Sequence, residues 1–131
     1  MQNKHDILTL EDIKLLVDTF YKKVQHDVLL GPIFNGHILN RWPEHLEKMY
    51  RFWQTILLEE PTYSGSPFPP HAKLPVDHSH FQEWMALFTA TVDELFDGQK
   101  ASEAKWRAAK MAEMFEIKIA HFRKNPLKNI L

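Results

Sequence analysis

Apolar side chains recur along this chain at steps of three and four residues and nowhere alternate as in a half-buried strand, so the expected fold is all-α. Thr9 and Asp12 have the spacing of a capping box, with Leu8 and Ile13 placed to staple it, which starts a helix near residue 10. Its apolar stripe is Ile13, Leu16, Val17, Phe20, Tyr21 and Val24, ending about residue 26. Leu30-Gly31-Pro32 is expected to break it, and Ile33-Phe34-Asn35-Gly36 reads as a tight apolar turn with Phe34 plugging the core. Pro43 suits the first turn of a second long helix, whose buried face would be Leu46, Met49, Phe52, Trp53, Ile56 and Leu57. From Pro61 to Pro75 lie five of the eight prolines, and no long helix survives there. A long ordered loop in a small domain is usually functional. After a cap at Asp77 or Ser79, Phe81, Trp84, Met85, Phe88, Val92, Leu95 and Phe96 share one helical side until Asp97-Gly98. A last helix from about Ser102 presents Ala104, Ala108, Met111, Phe115, Ile119 and Phe122 before Asn125-Pro126 stops it.

At 131 residues and 44% hydrophobic, the chain fits a single domain over 1–131 that can bury a core unaided, with residues 1–9 and 124–131 as loose tails. Sixteen basic residues against seventeen acidic ones, scattered rather than blocked, argue against nucleic acid as a partner. The absence of cysteine removes disulfides, thiolate nucleophiles and Cys-held metals, which leaves His and carboxylate as metal ligands. The polar N-terminal stretch does not read as a signal peptide, and no apolar run is long enough to cross a membrane, so the expected setting is cytoplasmic. Nine Phe, four Trp and three Tyr suit a core that lines something large and flat, or simply an aromatic core.

Three polar side chains stand out from this pattern: Tyr21 within the first stripe, His45 one turn before Met49, and His71 in the proline-rich stretch. Together they have the chemistry of a haem pocket, one imidazole to hold iron and a phenol and second imidazole to meet a bound gas. Pro69-Pro70 stiffens the backbone beside His71, and a neutral imidazole can ligate through one nitrogen while a carbonyl or carboxylate orients the other. Each residue also has an ordinary explanation. A histidine in a proline-rich loop is more often exposed and inert, and a core tyrosine usually aims its hydroxyl at a carbonyl or the surface. His45 could be a satisfied histidine at the stripe's margin, and Trp84, a possible further distal donor, could be plain core. His80 competes for the iron, being one turn from Trp84, whereas His78 points elsewhere and His5, His26, His37 and His121 read as peripheral.

The ordered set Phe20-Tyr21, Leu30-Gly31-Pro32-Ile33-Phe34, Trp42-Pro43-x-His45, Phe52-Trp53, Tyr63-x-Gly65-x-Pro67, His71-x-x-Leu74-Pro75 and His80-Phe81-x-x-Trp84 resembles a group III truncated haemoglobin, over nearly the entire chain. The resemblance implies a globin-like, truncated two-over-two helical sandwich around haem b. It maps His71 to the proximal ligand, Tyr21 and Trp84 to distal donors, and His45 to a distal histidine able to take more than one orientation. Phe20, Phe34, Met49, Phe52 and Trp53 fall where the family lines its pocket, and Met49 departs from the branched aliphatic often found there. Lys48, Arg51, Tyr63 and Lys73 are the candidates for the propionates.

The function expected is a haem-binding globin that reversibly binds O2, and NO, CO or peroxide as further ligands. Several distal donors would hold oxygen tightly, which favours redox or detoxification chemistry, such as NO dioxygenation or peroxide turnover, over bulk transport. No flavin or nicotinamide fingerprint is present, so such chemistry implies a separate reductase. A monomer or weak dimer is expected. Two other readings are a helical bundle with a non-haem metal, which would want Glu-x-x-His pairs that the sequence lacks, and an interaction module that has lost haem.

Overall fold

The computed structural model describes residues 3–124. Five α-helices follow in order: α1 Leu10–His26, α2 Gly31–Ile38, α3 Trp42–Leu58, α4 His78–Leu95 and α5 Gln99–Lys124, with a 3-10 turn at Pro69–His71 before α4. No strand occurs among the described residues. α1 packs on α3 and α4 on α5, and the two pairs are joined by α1 against α4 and by α3 against α5, a two-over-two arrangement.

The capping box of α1 forms as expected: the Asp12 amide donates to Thr9 Oγ1, and the Asp12 carboxylate accepts from the Leu8 and Thr9 amides. The staple differs. Leu8 is 63% exposed while Ile7 is fully buried, so the apolar residue entering the core lies one position earlier than expected. Residues 3–9 are not a loose tail either. The Asp6 carboxylate accepts from the amides of Lys100 and Ala101, 94 and 95 positions away. It thereby supplies orphan donors at the start of α5 with acceptors. Gly98 makes room for this contact, since a Cβ there would stand 2.5 Å from Asp6 Cγ, and its φ of +144° is one that only glycine adopts readily. This remote cap explains why α5 begins at Gln99, three residues before the expected start. The expected stop at Asn125-Pro126 lies outside the described residues.

The second difference is α2. α1 already ends at His26, with Asp27 as its C-cap, and Gly31-Pro32 opens a new helix instead of a turn, with Pro in the first turn where its missing N–H costs nothing. Asp27 holds the corner by accepting from the Leu29 and Leu30 amides. Gly31 is required because a Cβ would come within 2.8 Å of the Gln25 carbonyl oxygen.

The core lies where α1, α3 and α4 meet. Phe20, at 2% exposure, packs edge-on to Phe88 (5.2 Å between centroids) and to Trp84 (5.4 Å), and Trp53 stacks on Phe88 at 5.2 Å. Burying each such ring stabilises the fold by roughly 1.5–3 kcal/mol. On α5 the inward residues are Ala101, Ala104, Ala108 and Ala112, small enough to draw α5 close to α4, and then Phe115 and Ile119. That change from small to large falls where the helix pair leaves the core and begins to line a cleft.

Candidate functional site

The cleft encloses about 850 Å³ of empty space, part of it open to solvent. α1 gives it Tyr21, α2 gives Phe34, and α3 gives His45, Met49, Phe52 and Trp53. The proline-rich segment adds Pro67, His71 and Leu74, and α4 adds His80, Phe81 and Trp84. Met111, Phe115 and Ile119 of α5 close the end. It runs into a wider, more open cleft that shares Phe34, His45, Met49, Pro67, His71 and Leu74 with it. There His37, Arg41, Lys48, Arg51, Tyr63 and Ser66 supply a polar rim. The result is one slot, apolar inside and polar at its mouth, where Arg41, Lys48 and Arg51 stand among hydroxyl groups and the carboxylates of Glu44 and Glu47. That is the polarity a flat apolar cofactor with carboxylates on one edge requires.

His71 sits at the end of the 3-10 turn that Pro69 and Pro70 initiate. Its Nδ1 lies 2.7 Å from the Pro67 carbonyl oxygen. A carbonyl can only accept, so the ring proton resides on Nδ1 and the lone pair of Nε2 is left unshared, the tautomer of a metal-binding imidazole. Burial lowers its proton affinity, which the Pro67 bond partly offsets. The ring rests on Phe115, 4.8 Å between centroids. His80 also lines the cleft, but its Nδ1 is engaged as the reciprocal partner of the Asp77 amide in the α4 capping box.

Tyr21 and His45 meet edge to face at 4.9 Å, and Trp42 packs against both, at 5.8 and 5.6 Å. Burial alone raises the Tyr21 phenol above its ordinary value, so it stays protonated and able to donate. Burial, helped by the neighbouring His71, Lys48 and His37, pushes His45 down to about 4 and keeps it neutral. Its Nε2 is buried without a hydrogen-bond partner. Such an orphan costs on the order of 1–3 kcal/mol, a cost that a ligand in the cleft would relieve.

Tyr21, Phe34, His45, Met49, Phe52, Trp53, His71 and Trp84 gather around this one slot, with Tyr63 at the mouth rather than inside. Phe20 does not line it and instead packs behind Tyr21 and Trp84. Of the rim candidates, Lys48 and Arg51 are in place, Arg51 paired with Glu47 at 2.9 Å, while Lys73 stands outside the lining. Arg41 and His37 at the rim, and Phe115 and Ile119 at the far end, were not expected as site residues. Only the size step along α5 marks the latter two in the sequence. Among the described residues no cluster of three or more His, Cys, Asp or Glu side chains is placed to hold a metal ion. No helix among them is long and apolar enough to cross a membrane.

A sequence profile for bacterial-like globin matches residues 5–119. The chain is 33% identical over 117 residues to the group 3 truncated hemoglobin ctb of Campylobacter jejuni subsp. jejuni serotype O:2, which spans 86% of this chain and 92% of that protein. The crystal structure of group III truncated hemoglobin from Campylobacter jejuni superposes with a TM-score of 0.81 at 32% identity, over 89% of this chain and 95% of that one. The chain therefore belongs to the bacterial-like globins and, among them, to the group III truncated haemoglobins. Haem binding is the property this membership implies.

Proposed function

We propose that the cleft takes haem b, with His71 as the axial ligand and Tyr21, Trp84 and His45 around the space for a diatomic gas. The observation that carries this reading is the His71 ring, fixed through Nδ1 to Pro67 with Nε2 unshared, in a slot where His45 Nε2 is also buried without a hydrogen-bond partner. When bound, haem would supply an iron able to take an imidazole ligand and a diatomic gas. Phe34, Met49, Phe52 and Trp53 would hold the macrocycle by apolar contact, and Lys48, Arg41 and Tyr63 stand at the rim where its carboxylates need partners.

The chain's own residues would then set how long a gas stays. The protonated Tyr21 hydroxyl and the Trp84 indole are donors, and neutral His45 can donate through Nε2 once its proton sits there. Each good donor slows escape by roughly tenfold to a hundredfold. Tight retention favours redox use over delivery: NO plus O2 plus one electron gives nitrate, the electron coming from a separate reductase. Peroxide turnover is the second such reaction.

Haem-loaded protein tests the assignment. The His71→Ala variant should lose the five-coordinate ferrous spectrum and shed haem more than about a hundredfold faster, since even second-shell partners are worth tenfold to a hundredfold in metal affinity. An unchanged spectrum would overturn the ligand assignment. Mixing the oxygenated form with NO should give stoichiometric nitrate; rapid O2 release without nitrate would point to a carrier or sensor.

A further inference from the structure

The segment that carries His71 has a single 3-10 turn as its regular structure and few bonds of its own. The His71 amide donates to the Phe68 carbonyl at 2.7 Å and the Leu74 amide to the His71 carbonyl at 3.1 Å. The Val76 amide then reaches the Leu74 carbonyl at 2.9 Å. What ties this chain of bonds to the helical body is the last turn of α5. There Arg123 Nη2 donates to the Leu74 carbonyl at 2.8 Å and to the Val76 carbonyl at 2.7 Å. One terminal guanidinium nitrogen carries two N–H groups in a fixed plane, so a single side chain can seize two backbone acceptors at once. One helical face of α5 completes the grip. Phe115 supports both the His71 ring and, at 5.4 Å, the Phe68 ring, and Lys118 Nζ lies 5.1 Å from the centre of Phe68.

We propose that Arg123 is a positioning residue for His71: by fixing the carbonyls of Leu74 and Val76 it holds the imidazole in one pose, and so sets the iron–imidazole bond and the retention of haem. The inference rests on His71 being the axial ligand. Arg123 is exposed, 49 and 47 positions from the two carbonyls it holds, and it does not itself line the cleft.

The test uses the full chain with Arg123→Met, Arg123→Lys and, as a control, Arg107→Ala, an α5 arginine whose contacts stay within its own helix. In haem-free protein, Arg123→Met should speed amide hydrogen exchange over residues 68–76 by roughly three- to tenfold. In ferrous haem-loaded protein it should broaden and shift the iron–imidazole stretching band in the resonance Raman spectrum, and speed haem transfer to an acceptor by a similar factor. Arg123→Lys, whose ammonium can still reach the carbonyls, should restore part of each effect, and Arg107→Ala should show none. Faster exchange with an unchanged band and unchanged haem loss would make Arg123 merely structural and overturn the proposal, as would no change in any readout. A band that survives His71→Ala would instead overturn the axial assignment on which the proposal stands, so the two failures are distinguishable.

Discussion

The two sides of the slot are built on different principles. Tyr21, His45 and Trp84 stand on α1, α3 and α4, long helices whose other faces form the core, so their positions are set by packing shared with the whole molecule. His71 stands on a proline-rich stretch between α3 and α4 that contributes Val76 as its one buried apolar residue and is held by pins at each end. Near its start, Thr55 Oγ1 accepts from the Thr62 and Tyr63 amides; near its end, Arg123 takes the Leu74 and Val76 carbonyls. The side chains proposed to face a gas are thus placed by helix packing, whereas the one proposed for the iron is placed by hydrogen bonds and prolines. The second kind of hold can loosen without unfolding the protein.

If this contrast is right, damage to the helical wall should register as lost global stability. Phe88→Ala, which removes a ring at 1% exposure from between Phe20, Trp53 and Trp84, should lower the unfolding free energy by about 3–5 kcal/mol in denaturant titration. A loss under about 1 kcal/mol would break the comparison.

The next largest effect separates the two histidines in haem-free protein. His45 is held at about 4 against an ordinary 6.5, and burial lowers His71 too. Between those values the unfolded chain binds the proton and the folded one does not. Stability present above about pH 6.5 should therefore fall progressively as the pH drops towards 4, by on the order of 2 kcal/mol for His45. His45→Gln should flatten that part of the slope, and a slope of opposite sign would exclude a neutral buried imidazole. Tyr21→Phe comes third: O2 should leave the loaded protein roughly tenfold to a hundredfold faster, with global stability little changed. The smallest effect belongs to the pinned side. Thr55→Val should cost about 1 kcal/mol or less, because water replaces the exposed bonds, while the Thr62 and Tyr63 amides exchange faster in hydrogen exchange.

The same division governs what was legible in the sequence. α1, α3 and α4 announce themselves through local signals, the Thr9–Asp12 box, Pro43 and Asp77, and the residues on their faces fall where periodicity puts them. α2 is hard to read from the sequence because Gly-Pro serves equally as a helix breaker and as a helix start, and here it opens a helix after α1 has already ended at His26. The start of α5 was hidden because its cap, Asp6, comes from the other end of the chain. In the site, residue type and motif order point to Tyr21, His45, Trp84 and His71, and all four line the one cleft. The choice of His71 over His80 came from the motif order. Periodicity offers no equivalent, since the hydrogen bonds that distinguish the two rings run to a backbone carbonyl for one and a backbone amide for the other. Arg123 carries no local mark at all, because carbonyl acceptors have no sequence signature.

The Asp6 contact has a practical corollary for anyone attaching cargo to this globin. With Asp6 and Ile7 locked onto the body, a reporter or redox partner spliced upstream is mounted on a fixed bracket beside α5, and its reach is set by whatever linker precedes His5. Trimming the chain back to Leu8 would remove that bracket and leave the first amides of the longest helix to the solvent.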